Sequence, residues 1–176
     1  MIKHEVTQIG NPIIRRKSKK VADVSSDKVK RIVRDLIDSM RFHGLVGMAA
    51  PQIGSNFRIF VSEIRETKTR KKQKKADSIR IYINPRIVFS SRKKVIGYEG
   101  CGSVAYGQLF GPVRRCAEVT VKAQNKQGEI FTLKAKGLLA QVIQHELDHL
   151  EGIVFVDRVT NTKELMSREE YIKRFR

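Results

Sequence analysis

The sequence predicts an α+β domain, with antiparallel strands packed around a central helix that bears an HExxH motif, an amphipathic helix ahead of them and a polar helix at the end. Three observations lead there. Helical patterning is confined to three separated regions, whereas the strand-like runs follow one another between the first two, the order of an α+β chain and not of alternating βαβ units. At 176 residues with 40% hydrophobic content, the chain is long enough for one sizeable core and too short to suggest two, so residues 1–176 are expected to form a single domain. The most apolar helical segment, ending at Leu150, carries two histidines and two carboxylates that a packed helix must accommodate at a cost.

The first helix is read from Asp27 to Phe42, where Val29, Ile32, Val33, Leu36, Ile37 and Met40 fall at helical spacing. Ser25 or Ser26 caps it and Gly44 stops it. The stretch Gly47-Met48-Ala49-Ala50-Pro51-Gln52-Ile53-Gly54 then connects helix to strand, its small residues letting the backbone lie close to a ligand beside the Gln52 amide. Strands are expected around Phe57 to Ile64, Arg80 to Asn84, Ile87 to Phe89 and Val95 to Tyr98. A Lys-rich loop at about 66–77 separates the first two and contains the run from Lys68 to Lys75. Ala117 to Gln124 and Glu129 to Lys134 read as a hairpin that turns at Asn125 to Gly128. The motif helix begins near Gly137, and a polar helix from about Lys163 to Arg174 closes the chain.

His145-Glu146-Leu147-Asp148-His149 is the most informative segment. Histidines four residues apart project from one helix face and can grip one metal ion, and Glu146 sits where its carboxylate reaches a water held by that ion and acts as general base. Leu138, Leu139, Val142, Ile143, Leu147 and Leu150 make the helix apolar, so unliganded imidazoles there would be costly. Two imidazoles leave a metal under-coordinated, and a third ligand must come from elsewhere. The chain has two cysteines. Cys101 lies between glycines in Glu99-Gly100-Cys101-Gly102-Ser103, whereas Cys116 stands at the entrance to an alternating strand and reads as an incidental thiol. Asp148 on the buried helix needs a charged partner.

The first residues lack the continuous apolar run of a secretion signal, no segment approaches membrane-spanning length, and the sparse cysteines suit a reducing compartment, so a cytoplasmic location is expected. Net charge is +18, from 36 basic and 18 acidic residues, a field that favours polyanions. It is concentrated at Lys17, Lys19 and Lys20, in the run at 68–75, and at Lys173, Arg174 and Arg176.

Taken in order, the three motif stretches resemble the peptide deformylase family, whose motifs read GxGLAAxQ, EGCLS and HExDH. This chain supplies LVGMAAPQ from Leu45 to Gln52, EGCGS from Glu99 to Ser103 and HELDH from His145 to His149. The similarity extends to Gly10-Asn11-Pro12, to Gln144, and to the stretch from Leu150 to Arg158. Leu45 stands where the family has glycine and Gly102 where it has leucine, departures that bear on catalytic efficiency and side-chain preference.

The resemblance implies a hydrolase that removes the N-formyl group from the initiator methionine of nascent polypeptides and releases formate. It further implies that Cys101, His145 and His149 hold one divalent metal, typically Fe(II) and replaceable by zinc, nickel or cobalt. Glu146 is then the general base, and the Gln52 amide and Gly102 N–H stabilise the oxyanion. The peptide is expected to lie extended along Val46, Gly47 and Gly100, with the methionine side chain in an apolar pocket that includes Leu138 and Val142. Arg115, matching the arginine that ends the family's VPR segment, is the expected partner of Asp148. Ribosomal RNA near the nascent-chain exit is the expected macromolecular partner. Two other classes compete: a weakly active or ribosome-binding paralogue, and an HExxH zinc peptidase drawing its third ligand from Glu151 or Asp157.

Overall fold

The computed structural model describes residues 4–67 and 76–175. The Lys-rich run at 68–75, and with it most of the loop expected at 66–77, lies outside the described residues, as does Arg176. In chain order the elements are α1 (Asp27–Phe42), β1 (Gly47–Ala49), β2 (Ile59–Ile64), β3 (Asp77–Ser90), β4 (Lys94–Gly100), β5 (Leu109–Cys116), β6 (Glu118–Gln124), β7 (Ile130–Lys136), α2 (Gly137–Leu150), β8 (Met166–Ser167) and α3 (Arg168–Phe175). One sheet has the order β1-β2-β3-β6-β7 and the other β4-β5-β8, and every neighbouring pair is antiparallel.

Local chemistry explains the boundaries. Ser26 occupies the cap position of α1, yet its hydroxyl donates to the Asp23 carbonyl at 2.9 Å and makes no cap bond, so the preceding turn sets the helix start. Gly44, at φ +66°, ends it, a left-handed conformation that costs glycine little. The strands expected at 80–84 and 87–89 are one strand, β3. Pro85 lacks an N–H and Asn84 adopts φ +51°, and the pairing with β6 shifts register between Ile83 and Arg86, so the apparent gap is a bulge.

The closing helix is shorter than expected. Met166 and Ser167 pair with Phe110 and Leu109, which commits their backbone to a sheet, and α3 starts only at Arg168, where the Ser167 hydroxyl accepts from the Glu170 N–H at 3.2 Å. Strand β5 escaped the sequence reading because Gly111, Pro112 and two arginines obscure its alternation. It is nonetheless paired on both edges.

The five-stranded sheet lies between two helices, and its alternation decides which side chain meets which. Ile59, Val61 and Ile83 pack with Ile32, Leu36 and Met40 of α1. Phe60, Tyr82 and Val121 pack with Ile143, Leu147 and Leu150 of α2. Burial on both faces is why β2 opens with three apolar residues in succession, Ile59, Phe60 and Val61. Full burial of each such side chain contributes roughly 1.5–3 kcal/mol. Helix α2 is also tied to the second sheet, since the Gln144 amide accepts from the Cys116 N–H at 2.9 Å and donates to its carbonyl at 3.0 Å. The metal-motif helix is thereby fixed against both sheets.

Candidate metal centre

Cys101 follows the last residue of β4, and α2 presents His145 and His149 one turn apart beside it. The ligand-type atoms of these three residues all lie within 4.8 Å of one another. The Cys101 sulfur is 3.1 Å from His149 Nε2, a separation compatible with two bonds of about 2.0–2.3 Å to one ion. Cys101 is 3% exposed and His149 fully buried, so a bound ion would be largely shielded from water. One soft sulfur and two imidazoles form a donor set that suits a borderline divalent metal. Glu146 Oε2 and His149 Nδ1 are buried polar atoms without a hydrogen-bond partner among the described residues. The residues therefore fit the implied group.

The electrostatics follow from burial and charge pairing. Burial alone would raise the Cys101 thiol, but the charge of His149 and the hydrogen bonds from both histidines outweigh it and hold the thiol at about 5. Burial opposes a charge on His145 as well, yet its contacts with the Cys101 sulfur and Glu99 keep its pKa well above the usual histidine value. At Glu146 burial prevails. Burial pushes its carboxyl up to about 7, only partly countered by the two histidines, a value suited to taking and returning a proton near neutrality.

A chain of ion pairs, buried at Glu99 and Arg115 and reaching the surface at Arg158, holds the centre. Glu99 Oε2 accepts from His145 Nδ1 at 2.9 Å, which leaves Nε2 of that ring for a metal. Arg115 donates to both Glu99 oxygens at 2.9 and 3.0 Å, and its remaining arm reaches Asp148 at 2.5 Å. Arg158 completes the set with a bond to Asp148 at 2.9 Å. Burial would raise Glu99, but the bonds from His145 and Arg115 dominate and bring it down to about 2. Sequence reasoning reached Asp148 and Arg115 and missed Glu99 and Arg158. An acidic residue two positions before the ligand-type cysteine was the available signal.

A small cavity of about 60 Å³ adjoins the cluster, and Val46, Gly47, Gly100, Leu138 and Val142 all line it, together with Gln52, Gly102 and Glu146. A Cβ on Gly47 would run into the Glu146 carboxylate and come within 2.8 Å of Val142, so only glycine lets this backbone approach. The Gln52 side chain is fixed by accepting from the Ala49 N–H at 2.8 Å, and its amide nitrogen faces the Ser103 hydroxyl at 3.3 Å and the Cys101 sulfur at 3.7 Å. The cavity continues into a larger one of about 380 Å³ that shares Leu45, Gly100, Cys101 and Gly102 and extends past Tyr106, Phe110 and Arg168.

The structure does not bring the alternative ligands into the cluster. Glu151 is paired with Arg58 at 2.6 Å and Lys17 at 3.1 Å, and Asp157 with Arg15. Cys116 lies at the other end of Gln144's amide and contacts Lys94 at 3.1 Å.

The family model for polypeptide deformylase matches residues 3–165. Among curated proteins, the peptide deformylase of Dictyoglomus turgidum is 42% identical over 161 residues, covering 92% of this chain and 95% of that protein. That of Natranaerobius thermophilus is 40% identical, covering 91% and 92% respectively. Among solved structures, the Met-Ala-Ser-bound class I type b peptide deformylase of Acinetobacter baumannii superposes with a TM-score of 0.81 at 29% identity, covering 90% of this chain and all of that one. The peptide deformylase of Thermotoga maritima gives 0.78 at 28% identity, covering 92% and 100%.

Proposed function

The chain belongs to the peptide deformylase family, and from that premise we propose the roles of the residues gathered around Cys101. The protein is a metal-dependent hydrolase that removes the formyl group from formyl-methionyl peptides. The observation that carries the assignment is the convergence of Cys101, His145 and His149 beside the buried Glu146, at the end of a cavity with Leu45, Val46, Leu138 and Val142 among its walls.

Cys101, His145 and His149 are the ligands, and residues 1–176 act as one catalytic domain. A bound divalent ion, Fe(II) by family resemblance with zinc, nickel or cobalt as substitutes, supplies Lewis-acid activation of water at neutral pH. Glu146 takes the proton from the attacking water and returns it to the amine that leaves, a role its raised pKa supports. The Gln52 amide and the Gly102 N–H donate to the oxygen of the formyl group as negative charge develops there, each such donor being worth roughly 3 kcal/mol. Glu99 and Arg115 keep the His145 ring in one tautomer and orientation.

The first side chain of the peptide enters the small cavity against Leu138 and Val142, its backbone lies along Val46, Gly47 and Gly100, and the following residues run on into the larger cavity past Leu45 and Gly102. The Acinetobacter relative, bound to Met-Ala-Ser, supports a peptide as the occupant. No helix among the described residues is long and apolar enough to cross a membrane, and the family resemblance supports a cytoplasmic location. The +18 charge supports the ribosome as partner.

The test is formate release from formyl-Met-Ala-Ser by protein purified without oxygen, with metal measured in the same sample. About one metal per chain and turnover that chelation abolishes are expected. A protein that binds metal and releases no formate would overturn the assignment.

A further inference from the structure

A cavity of about 360 Å³ opens on another face of α2 and shares no lining residue with the two cavities at the metal centre. The helix serves both through two stripes at the same spacing. Leu138, Gln141, Val142 and His145 face the metal side, and Gln144, Leu147, Asp148 and Glu151 face this one. We propose that this second cavity is a binding site for phosphate groups.

Its charge is lopsided. Arg58, Arg86, Lys94, Arg114, Arg115 and Arg158 line it, against only Asp148 and Glu151. The carboxylates are already engaged: Asp148 by Arg115 and Arg158, Glu151 by Arg58 and Lys17. Arg86, Lys94 and Arg114 are exposed and make no ion pair among the described residues. They come from three strands, β3, β4 and β5. The β4–β5 register sets Lys94 opposite Cys116 and Ile96 opposite Arg114, which puts the Lys94 and Arg114 side chains on one sheet face.

Gathering uncompensated cations in a concavity costs free energy that an anion relieves. The floor is preorganised, since the Arg58 and Arg115 side chains are only 13% and 6% exposed and are held by carboxylates, so little ordering remains to be done on binding. Guanidinium forks match phosphate oxygens better than a lone ammonium does. The volume admits more than one phosphate, which fits either successive phosphates of an RNA strand or a free polyphosphate. The exposed Ile87 at the rim gives either one an apolar edge.

The test uses the metal-loaded full chain and two probes, a labelled single-stranded oligoribonucleotide followed by anisotropy and inorganic pyrophosphate followed by calorimetry, each at two salt concentrations. Binding that weakens steeply with salt is expected. The double variant Arg86→Glu/Arg114→Glu should weaken binding at least tenfold. Reversing Arg31 and Arg34 of α1, an equal change in net charge across the five-stranded sheet, should weaken it less than threefold. The milder pair Arg86→Gln/Arg114→Gln should still weaken it at least threefold, and every variant should keep formate release within twofold of the parent. RNA binding that pyrophosphate cannot displace identifies the polynucleotide as the source; pyrophosphate binding without RNA binding identifies the small anion. Absence of binding by both probes at low salt, or an equal loss in the Arg31/Arg34 control, would overturn the site.

Discussion

Glu146 is the residue on which the proposed chemistry turns, and its isolation gives a clean separation of roles. Its Oε2 is buried with no hydrogen-bond partner among the described residues, and it is not one of the three clustered ligand groups. Glu146→Gln should therefore retain about one metal per chain while formate release falls by at least a hundredfold, whereas Cys101→Ala and His149→Ala should lose the metal itself. Metal analysis and turnover on the same samples decide it; a fully active Glu146→Gln protein would remove the general-base role. Gly102 offers a second residue-level test. A Cβ there would lie 3.2 Å from Leu45 Cδ1 and 3.3 Å from Val6 Cγ1, tighter than ordinary contact, so Leu45 and Val6 occupy the space a larger residue at 102 would need. Gly102→Leu and Leu45→Gly should each lower kcat/KM several-fold, with the double variant restored to within about threefold of the parent. Additive losses would refute the exchange. The histidines and Glu146 were legible because four-residue spacing on a helix forces proximity, and Cys101 through family resemblance. Glu99 was not, because its partners Arg115 and His145 are 16 and 46 residues away and only the fold brings them together.

Among the elements, α1 and the β6–β7 hairpin could be read from periodicity and turn chemistry alone, since each is specified by its own residues. Gly128, at φ +85°, and the Asn125 side chain that accepts from Gln127 and Glu129 build the hairpin turn locally. Strand β1 could not be read so, being three residues long and defined only by its partner β2, and neither could β5 or β8. The junction of α1 with β2 carries a pH-dependent tie. Arg41 donates to both oxygens of Glu63 at 2.9 and 2.7 Å, and the side-chain hydrogen bonds from Arg41, against a smaller opposing effect of burial, hold the Glu63 carboxyl below its usual range. A depressed folded-state pKa contributes stability above the unfolded value of about 4.3, which is lost as pH falls through the folded value. Arg41→Ala should then lower the urea midpoint at pH 7 by an amount worth less than about 1 kcal/mol, because Arg41 is half exposed. The gap should close as the solution is acidified past Glu63. A gap that persists unchanged at low pH would assign Arg41 a packing role instead.

For the whole molecule, the ligand positions matter as much as their chemistry. Cys101 leaves the end of β4 in one sheet, and His145 and His149 ride on α2, which packs against the other. Under the proposed ligation the ion is a cross-link as well as a reagent. It closes a loop of about 44 residues between positions 101 and 145. If that closure acts as a covalent bridge does on the unfolded chain, it is worth roughly 4 kcal/mol. Chelation should accordingly lower Tm by several degrees in Glu146→Gln, where no turnover complicates the measurement, and should leave Cys101→Ala unaffected. Equal melting with and without chelator in Glu146→Gln would show that the ion does not brace the fold. The same geometry sets an order of events during synthesis. Two of the three ligands have not been made when Cys101 leaves the ribosome; only once α2 is complete do its imidazoles bring the thiol down to about 5, and the thiolate then formed is open to oxidants until an ion closes the bridge. The supply of metal at that moment, and not only the affinity of the finished site, decides what fraction of chains matures intact.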